Sequence, residues 1–281
     1  MSADTPRALL RVAGSRIDAL DSRVLLSFVT GRDAAHLIAH PDAPVSSGEG
    51  RAYEALVERR RDGEPVAYLT GEREFYGHAF KVTPAVLIPR PETELLVELS
   101  LERMPTGASC RVLDLGTGSG CIAISIASER SHSQIIAVDQ SLAALDLARA
   151  NAGALPVSNV IFKQSDWYSS LGKERFDLIV ANPPYVAAGD PHLIRGDVRF
   201  EPKAALEAGP GGLACIKQIV AGAPTHLSPE GWILLEHGYD QAAAVRALLE
   251  AGGFDQVFSA RDLGGIERAS GARLTARRPS R

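Results

Sequence analysis

The fold is decided by the segment Val112-Leu113-Asp114-Leu115-Gly116-Thr117-Gly118-Ser119-Gly120. Its apolar residues predict a buried strand that runs directly into a glycine-rich turn, with a helix starting near Cys121. Glycines permit tight turns and let a ligand approach the backbone closely. In an α/β fold, nucleotides bind at the carboxyl end of the first sheet strand. The segment therefore predicts a nucleotide site on a mostly parallel sheet.

Apolar segments alternate with helical ones from Arg111 onward, which is typical of an α/β fold with a doubly wound, mostly parallel sheet. Amphipathic helices are predicted over Ser141–Asn151 and Gly212–Ala221. The tail, Phe254–Thr275, predicts two further strands that form a hairpin at the sheet edge, and residues 276–281 are expected to fray. Five apolar strands are predicted before that hairpin, which gives seven in all: Val112–Leu115, Ile135–Val138, Val160–Phe162, Leu178–Val180 and Trp232–Leu235.

The first 60 or so residues have the pattern of short helices. Thr5 is a good N-cap with Pro6 in the first helical position, and Asp21 can cap the second helix. A loop is predicted over Pro44–Gly50, followed by a helix over Arg51–Arg61. The chain therefore begins with a small helical domain.

Between Glu72 and Ile88 the helical pattern gives way to aromatic and β-branched residues among Gly77 and Pro84, which predicts a β-hairpin. We therefore expect three parts: a helical domain over residues 1–71, a hairpin linker over residues 72–91 and the α/β domain over residues 92–281.

Composition narrows the class of protein. Thirty Lys and Arg residues against 34 Asp and Glu give a net charge of −4. Tight duplex binding needs many phosphate-neutralising cations, so we expect no stable nucleic-acid partner. Three cysteines without Cys-x-x-Cys spacing predict neither a disulfide framework nor a metal site. No secretory signal pattern and no apolar run near the ~20 residues of a membrane span are present, so we expect a cytoplasmic protein without a membrane partner.

The glycine spacing after the first strand indicates which nucleotide binds. Dinucleotide enzymes favour Gly-x-Gly-x-x-Gly, whereas Gly116, Gly118 and Gly120 give Gly-x-Gly-x-Gly behind Asp114. This arrangement resembles motif I of class I S-adenosylmethionine-dependent methyltransferases, whose cofactor carries no phosphate. Asp114 could orient the cationic methionine end of that cofactor. A structural turn or an NAD site remains an alternative for this motif alone.

Two further loops fit the same cofactor. Asp139 ends the second predicted strand, about 20 residues past the glycines, where a carboxylate can accept from both ribose hydroxyls. Its alternative role is as a helix N-cap. After the third strand, Asp166 could accept from an adenine amino group, and Trp167 could supply an apolar ring face. Ordinary packing is the alternative for Trp167.

The fourth strand ends in Asn182-Pro183-Pro184-Tyr185. The two prolines fix φ and lack backbone donors, which leaves carbonyl oxygens free beside the Asn182 side chain. Such acceptors suit a planar NH₂ group, whose nitrogen is a poor nucleophile because its lone pair is delocalised. Two acceptors can orient that nitrogen and stabilise the positive charge that develops on it, while Tyr185 can stack on the planar group. A rigid turn is the alternative reading.

The four motifs together resemble the methyltransferases that act on planar nitrogen, and other segments resemble the HemK/PrmC family of release factor glutamine methyltransferases over nearly the whole chain. These segments are Gly63–Glu72, Glu74–Gly77, Leu87–Glu94, Phe200–Pro202 and Leu235–Gly238. The resemblance implies a seven-stranded methyltransferase sheet and an N-terminal domain that recognises the substrate. It also implies methylation of the side-chain amide nitrogen (N5) of the glutamine in the Gly-Gly-Gln motif of peptide chain release factors, with S-adenosyl-L-homocysteine as the second product.

The resemblance assigns roles residue by residue. Asn182, Pro183 and Tyr185 are expected to be catalytic, and with Pro184 they would hold the substrate glutamine. The segment Ile88–Glu94 would help to wall the pocket, and no metal is expected. The residues expected to bind S-adenosyl-L-methionine are Gly116, Thr117, Gly118, Ser119, Gly120, Asp139, Trp167 and Asn182.

Three other functions remain open from the sequence. The weakest is an NAD-binding oxidoreductase, because the third glycine of the dinucleotide spacing is missing. A nucleic-acid adenine N6-methyltransferase would share the Asn-Pro-Pro-Tyr motif, but the missing basic surplus and the N-terminal segments argue against it. A binding module that retains the fold without activity would not need the glycines, Asp139 and Asn182 together.

Overall fold

The structure is a computed structural model that describes residues 4–275. Two units can be distinguished in the chain, Met1–Glu72 with Ile194–Phe200, and Arg73–Leu193 with Glu201–Arg281. The predicted fraying of residues 276–281 concerns residues outside the described range.

The described part of the first unit is helical, as the sequence predicts. Leu25, Tyr53 and Val57 are fully buried in its core, and the hydroxyl groups of Ser22 and Tyr53 lie 2.7 Å apart. A second short segment of this unit, Gly196–Phe200, is a 3₁₀ helix in which Asp197 accepts from Arg60 at 2.7 Å. The helices are α1 (Pro6–Ala13), α2 (Ala19–Thr30), α3 (Ala34–Ala39), α4 (Ser47–Arg61) and α5 (Val66–Thr70).

Local capping sets the helix boundaries. Thr5 caps α1 as predicted, because its hydroxyl accepts from the N–H of Ala8 at 3.3 Å. The prediction that Asp21 caps the second helix is wrong: Asp18 accepts from Leu20 at 2.7 Å, and α2 begins three residues earlier than expected. The predicted loop over Pro44–Gly50 is also wrong in its second half, where Ser46 and Glu49 form a reciprocal capping box that starts α4.

The second unit begins with a two-stranded hairpin, β1 (Glu72–Phe75) and β2 (His78–Lys81). Its turn places Tyr76 and Gly77 at positive φ, 50° and 74°. Phe75 and Phe80 are buried, and their rings meet edge to face in the same core as Val112 and Ile124. The hairpin is thus part of the hydrophobic core of the α/β unit.

A seven-stranded sheet forms the centre of the second unit, in the order β5-β4-β3-β6-β7-β9-β8. The pairings among β3 to β7 are parallel, and β9 is antiparallel to both β7 and β8. The order reverses between β3 and β6, and ligands of open α/β sheets bind at such a switch point. The strands are β3 (Arg111–Leu115), β4 (Gln134–Asp139), β5 (Val160–Gln164), β6 (Phe176–Ala181), β7 (Leu227–Glu236), β8 (Asp255–Arg261) and β9 (Glu267–Arg273).

Helices cover both faces of this sheet, so neighbouring strand residues are buried on opposite sides. Val112 lies in a core with Ile122 and Ile124, whereas Leu113 lies in a second core with Ile216 and other residues. The helices are α6 (Glu94–Arg103), α7 (Cys121–Glu129), α8 (Leu142–Ala154), α9 (Ala214–His226) and α10 (Ala242–Ala251). Over residues 4–275 we find no helix that is both long and apolar enough to cross a membrane.

Candidate cofactor and substrate site

A cavity of about 470 Å³ lies at the carboxyl ends of the central strands. Four of the loops that line it are those the sequence singled out: the glycine turn after β3, the end of β4, the loop after β5 and the start of the loop after β6. The segment between the hairpin and α6 supplies another wall. Residues far apart in sequence meet here because parallel strands end at one edge of a sheet.

The glycine turn lies against the end of β4. The backbone N–H groups of Gly116 and Thr117 donate to the carbonyl of Val138 at 2.8 and 2.9 Å. Gly118 donates to Oδ2 of Asp139 at 2.9 Å. A Cβ placed on Gly118 would meet no atom within 4 Å, so this glycine leaves open space on the cavity side. Gly116, Thr117, Gly118 and Ser119 all line the cavity.

Gly120 has a different surrounding. It is not among the residues that line the cavity, and it stands at the N-cap of α7 with φ 83°. A Cβ there would lie 2.8 Å from Cδ1 of Ile124 and 3.1 Å from Cβ of Ala148. The third glycine thus allows α7 and α8 to pack closely.

Asp114 lies beneath the turn, fully buried, and its Oδ2 accepts from the Thr117 hydroxyl at 2.7 Å. Its Oδ1 has no hydrogen-bond partner within the part of the chain that the structure describes. Burial raises the pKa of Asp114 to about 7, with the charge of Asp139 adding to the effect and the Thr117 hydroxyl opposing it. Because Asp114 does not line the cavity, it could act on a ligand only through its field or through the turn.

Asp139 lines the cavity with both carboxylate oxygens engaged. Oδ2 accepts from Gly118, and Oδ1 accepts from the N–H of Ser141 at 2.9 Å. The helix cap itself is made by Ser141, whose hydroxyl accepts from Ala144 at 3.2 Å. Each oxygen of an ionised carboxylate can accept a second hydrogen bond, so both can still meet hydroxyl groups of a ligand.

Trp167 lines the same cavity next to Asp166, and it has a φ of 45°. A positive φ is uncommon for a bulky residue and is sustained only by its surroundings. Its carbonyl accepts from the Ser165 hydroxyl at 2.7 Å, and its ring lies 3.6 Å from the Cβ position of Gly116. The backbone conformation therefore holds a broad apolar ring against the glycine turn.

Asn182 lines the cavity and is oriented by one contact. Its Nδ2 donates to Oγ1 of Thr93 at 3.1 Å, and its Oδ1 makes no hydrogen bond to any described residue. Pro184 also lines the cavity, whereas Pro183 and Tyr185 do not. The carbonyl of Pro183 accepts no hydrogen bond from the described chain. Within residues 4–275, no hydrogen-bond donor therefore reaches either of the two oxygens that the sequence predicts as acceptors.

Known proteins resemble the chain along nearly its whole length. The model of the PrmC N-terminal domain matches residues 6–71, and that of the methyltransferase small domain matches residues 92–198. The release factor glutamine methyltransferase of Burkholderia pseudomallei is 53% identical over 97% of each chain. The enzyme of the same name from Xylella fastidiosa is 48% identical over 95% of this chain and 97% of its own. The chain belongs to the release factor glutamine methyltransferase family. This confirms the resemblance that the motifs indicated.

The fold of this family member also occurs in more distant methyltransferases. The Thermus thermophilus 16S rRNA N2 G1207 methyltransferase, solved with AdoMet and guanosine, aligns with a TM-score of 0.54. The two sequences are 23% identical, and the alignment covers 72% of this chain and 49% of that one. At this identity the likeness concerns the fold alone, and it agrees with the doubly wound sheet predicted from the sequence.

Two segments that carried the family resemblance meet at the cavity wall. Glu201 is buried; its Oε2 accepts from the N–H of Ile88 at 3.1 Å, and its Oε1 forms an ion pair with Arg90. Pro89 and Arg90 line the cavity. A single carboxylate thus fixes the wall formed by the Ile88–Glu94 segment, a role for Glu201 that the sequence pattern did not predict.

Another family segment, Leu235–Gly238, contributes a second buried acid. The Tyr185 hydroxyl donates to Oε1 of Glu236 at 3.3 Å, and burial raises the pKa of both groups, to about 7 for Glu236. Tyr185 does not line the cavity, whereas Pro184 does. A substrate group would therefore have to extend past Pro184 to stack on the Tyr185 ring. Thr93, Glu201 and Glu236 are the site residues that sequence reasoning missed, and their only signal was membership of segments resembling the family.

Proposed function

We propose that this protein methylates the side-chain amide nitrogen (N5) of the glutamine in the Gly-Gly-Gln motif of peptide chain release factors, using S-adenosyl-L-methionine. The observation that carries the proposal is the Asn182 side chain, whose Oδ1 has no hydrogen-bond partner in the described chain while its Nδ2 is held by Thr93. An amide NH₂ needs acceptors, and this oxygen with the Pro183 carbonyl supplies two.

The residues around the glycine turn fit the cofactor. The cavity holds about 470 Å³, which is within the usual range for small-molecule sites. Asp139 would accept from the ribose hydroxyls, the open face of Gly118 would let the ligand approach the backbone, and Trp167 would cover an apolar ring. S-adenosyl-L-methionine supplies an electrophilic methyl group when bound.

The protein's part in the reaction is positioning and electrostatics. Oδ1 of Asn182 and the carbonyl of Pro183 would hold both protons of the substrate NH₂ and direct its nitrogen. As that nitrogen gains positive charge, both oxygens would stabilise it. No strong base is needed, because the nitrogen becomes acidic once methyl transfer begins and can release its extra proton to water. Pro184 would limit how the amide can tilt, and Tyr185 would support the loop through Glu236.

We further propose the division of labour along the chain. Residues 1–71 would recognise the release factor, residues 72–91 would link the two parts, and residues 92–281 would carry out methyl transfer. The match of residues 6–71 to the PrmC N-terminal domain supports the first assignment. A net charge of −4 suits a protein partner better than nucleic acid, and such an enzyme would work in the cytoplasm, where release factors act.

The deciding experiment is mass spectrometry of a release factor after incubation with this protein and S-adenosyl-L-methionine. We expect one added methyl group on the Gly-Gly-Gln glutamine. Asn182→Ala should abolish that product while cofactor binding survives in part. Parallel reactions with DNA and RNA test the adenine N6-methyltransferase alternative. Transfer of labelled methyl to nucleic acid, with none to the release factor, would overturn the proposal.

A further inference from the structure

We propose that Thr93 is a positioning residue for the methyl-transfer step, and that Glu236 sets the direction of its hydroxyl. Thr93 would hold the NH₂ end of Asn182 so that the oxygen end faces the substrate amide. This inference rests on the proposed function and assigns to it two residues outside the Asn-Pro-Pro-Tyr motif.

Thr93 is the last residue of a 3₁₀ turn, Pro91–Thr93, that continues directly into α6. Its φ of −69° and ψ of −19° are helical, and its side chain makes no capping hydrogen bond. Its hydroxyl oxygen instead accepts from Nδ2 of Asn182 at 3.1 Å, although the side chain is only 2% exposed. The Thr93 hydroxyl is therefore available at the cavity, which Thr93 lines.

The direction of this hydrogen bond decides what Asn182 can do. The two ends of an asparagine amide have nearly the same shape, but one end donates and the other accepts. A hydroxyl could bind either end, since it both donates and accepts. If Thr93 donated to Oδ1, the NH₂ of Asn182 would face the substrate NH₂, and two donors would oppose each other. The hydroxyl proton of Thr93 must therefore be directed elsewhere.

Glu236 is the acid that interacts with the Thr93 hydroxyl, which lowers the pKa of its carboxyl. It is 2% exposed, its Oε1 accepts from Tyr185, and its Oε2 has no hydrogen-bond partner within residues 4–275. Thr93 and Tyr185 both lower the pKa of Glu236 against the larger effect of burial, so both hydroxyls favour the carboxylate form.

Two other charged groups shift the pKa of this carboxyl. Arg268 on β9 lowers the pKa of Glu236, and Glu92 beside Thr93 raises it. Arg268 is itself paired with Asp262 at 3.2 Å. With Glu236 ionised, Thr93 can only donate toward it and must accept from Asn182. With Glu236 protonated, Thr93 is free to turn its proton to Oδ1 of Asn182. The orientation of the Asn182 amide that presents Oδ1 to the substrate is then no longer favoured.

The first test compares Thr93→Val with Thr93→Ser in the full chain, using a release factor and S-adenosyl-L-methionine. Valine keeps the shape and removes the hydroxyl, so kcat should fall by about 10- to 100-fold with little change in KM. Serine keeps the hydroxyl and should restore kcat to within about threefold of the unchanged enzyme. Thr225→Val, at an exposed threonine on α9, is the matched control. A kcat for Thr93→Val equal to that of this control would overturn the proposal.

The second test measures the pH profile of Glu236→Gln and applies even if Thr93→Val does not fold. Glu236→Gln cannot titrate, and its amide permits both directions of the Thr93 hydroxyl. We expect the unchanged enzyme to gain kcat as pH rises through about 7, the pKa of Glu236, and the variant to lose this rise. A pH profile of Glu236→Gln identical to that of the unchanged enzyme would contradict the proposal. The activity of the unchanged enzyme on the release factor distinguishes failure of this proposal from failure of the proposed function. If the unchanged enzyme does not methylate the release factor, the proposed function itself is refuted.

Discussion

Gly118 donates its backbone N–H to Oδ2 of Asp139 at 2.9 Å, which joins the glycine turn after β3 to the end of β4. The same carboxylate accepts from Ser141 through its other oxygen. Asp139 therefore shapes the turn as well as presenting acceptors to the cavity. A substitution there acts on both functions at once.

Asp139→Asn should weaken S-adenosyl-L-methionine binding about 10- to 100-fold, because one acceptor becomes a donor that faces either Gly118 or a ribose hydroxyl. Calorimetric titration of the cofactor measures this. Asp146→Asn is the matched control, since Asp146 is exposed on α8 and pairs with Arg149. An affinity of Asp139→Asn within twofold of that control would rule out the ribose role.

Gly118→Ala and Gly120→Ala should separate binding from stability. Alanine at 118 points into open space, so its main effect should be a loss of cofactor affinity, with about 1 kcal/mol of backbone strain. Alanine at 120 collides with Ile124 and Ala148, and should lower the free energy of unfolding by about 2–4 kcal/mol. Urea unfolding and cofactor titration of each variant check this. Equal losses of stability would contradict the different surroundings of the two glycines.

The buried carboxyl of Asp114 should make stability depend on pH. Its pKa rises from 3.8 in the unfolded chain to about 7 in the fold, so the folded state binds the proton more tightly. The contribution of this carboxyl to the stability of the fold is complete below about pH 4 and is lost as pH rises through about 7. The free energy of unfolding of Asp114→Asn should therefore rise relative to that of the unchanged protein, by about 1–3 kcal/mol between pH 5 and pH 8.

Urea unfolding at the two pH values measures this gain, and tryptophan fluorescence is a suitable signal. Trp167 and Trp232, the two tryptophans of the sequence, both lie in the second unit with Asp114. A difference between variant and unchanged protein that is the same at both pH values would show that Asp114 does not titrate in this range.

Recognition of a whole release factor should depend on the first unit. Helix α2 exposes Leu20, Val24 and Phe28, which are four residues apart and therefore lie along one face. Replacing Leu20 and Phe28 by serine should raise KM for a release factor about tenfold, because apolar contact area is lost. KM for a short Gly-Gly-Gln peptide should not change.

Leu263→Ser is the control for this pair of substitutions, since Leu263 is fully exposed in the β8–β9 loop of the other unit. If the α2 variant changes KM for peptide and whole release factor alike, recognition by this helix face is refuted.

Much of the fold follows from local sequence. The strand that ends at Leu115, the three glycines after it and the proline pair at 183–184 each restrict the backbone by themselves, so their places in the sheet could be predicted. The residue at which a helix begins is less easily predicted from local sequence. Asp18 and Asp21 are equally good caps as residue types, and the choice between them depends on how α2 packs in its core.

By itself, the sequence determined the glycine turn, the Asp139 acceptor and the Asn-Pro-Pro-Tyr loop, because each depends on residue type and short spacing. Tertiary structure alone decided what orients them. Thr93 contacts Asn182 across 89 positions of sequence, and Glu201 reaches Ile88 across 113. Such pairs carry no periodicity and no motif, since they exist only once separate strands and loops have been brought to one edge of the sheet. Likewise, the raised pKa values of Asp114 and Glu236 arise from burial, which is a property of the packed chain.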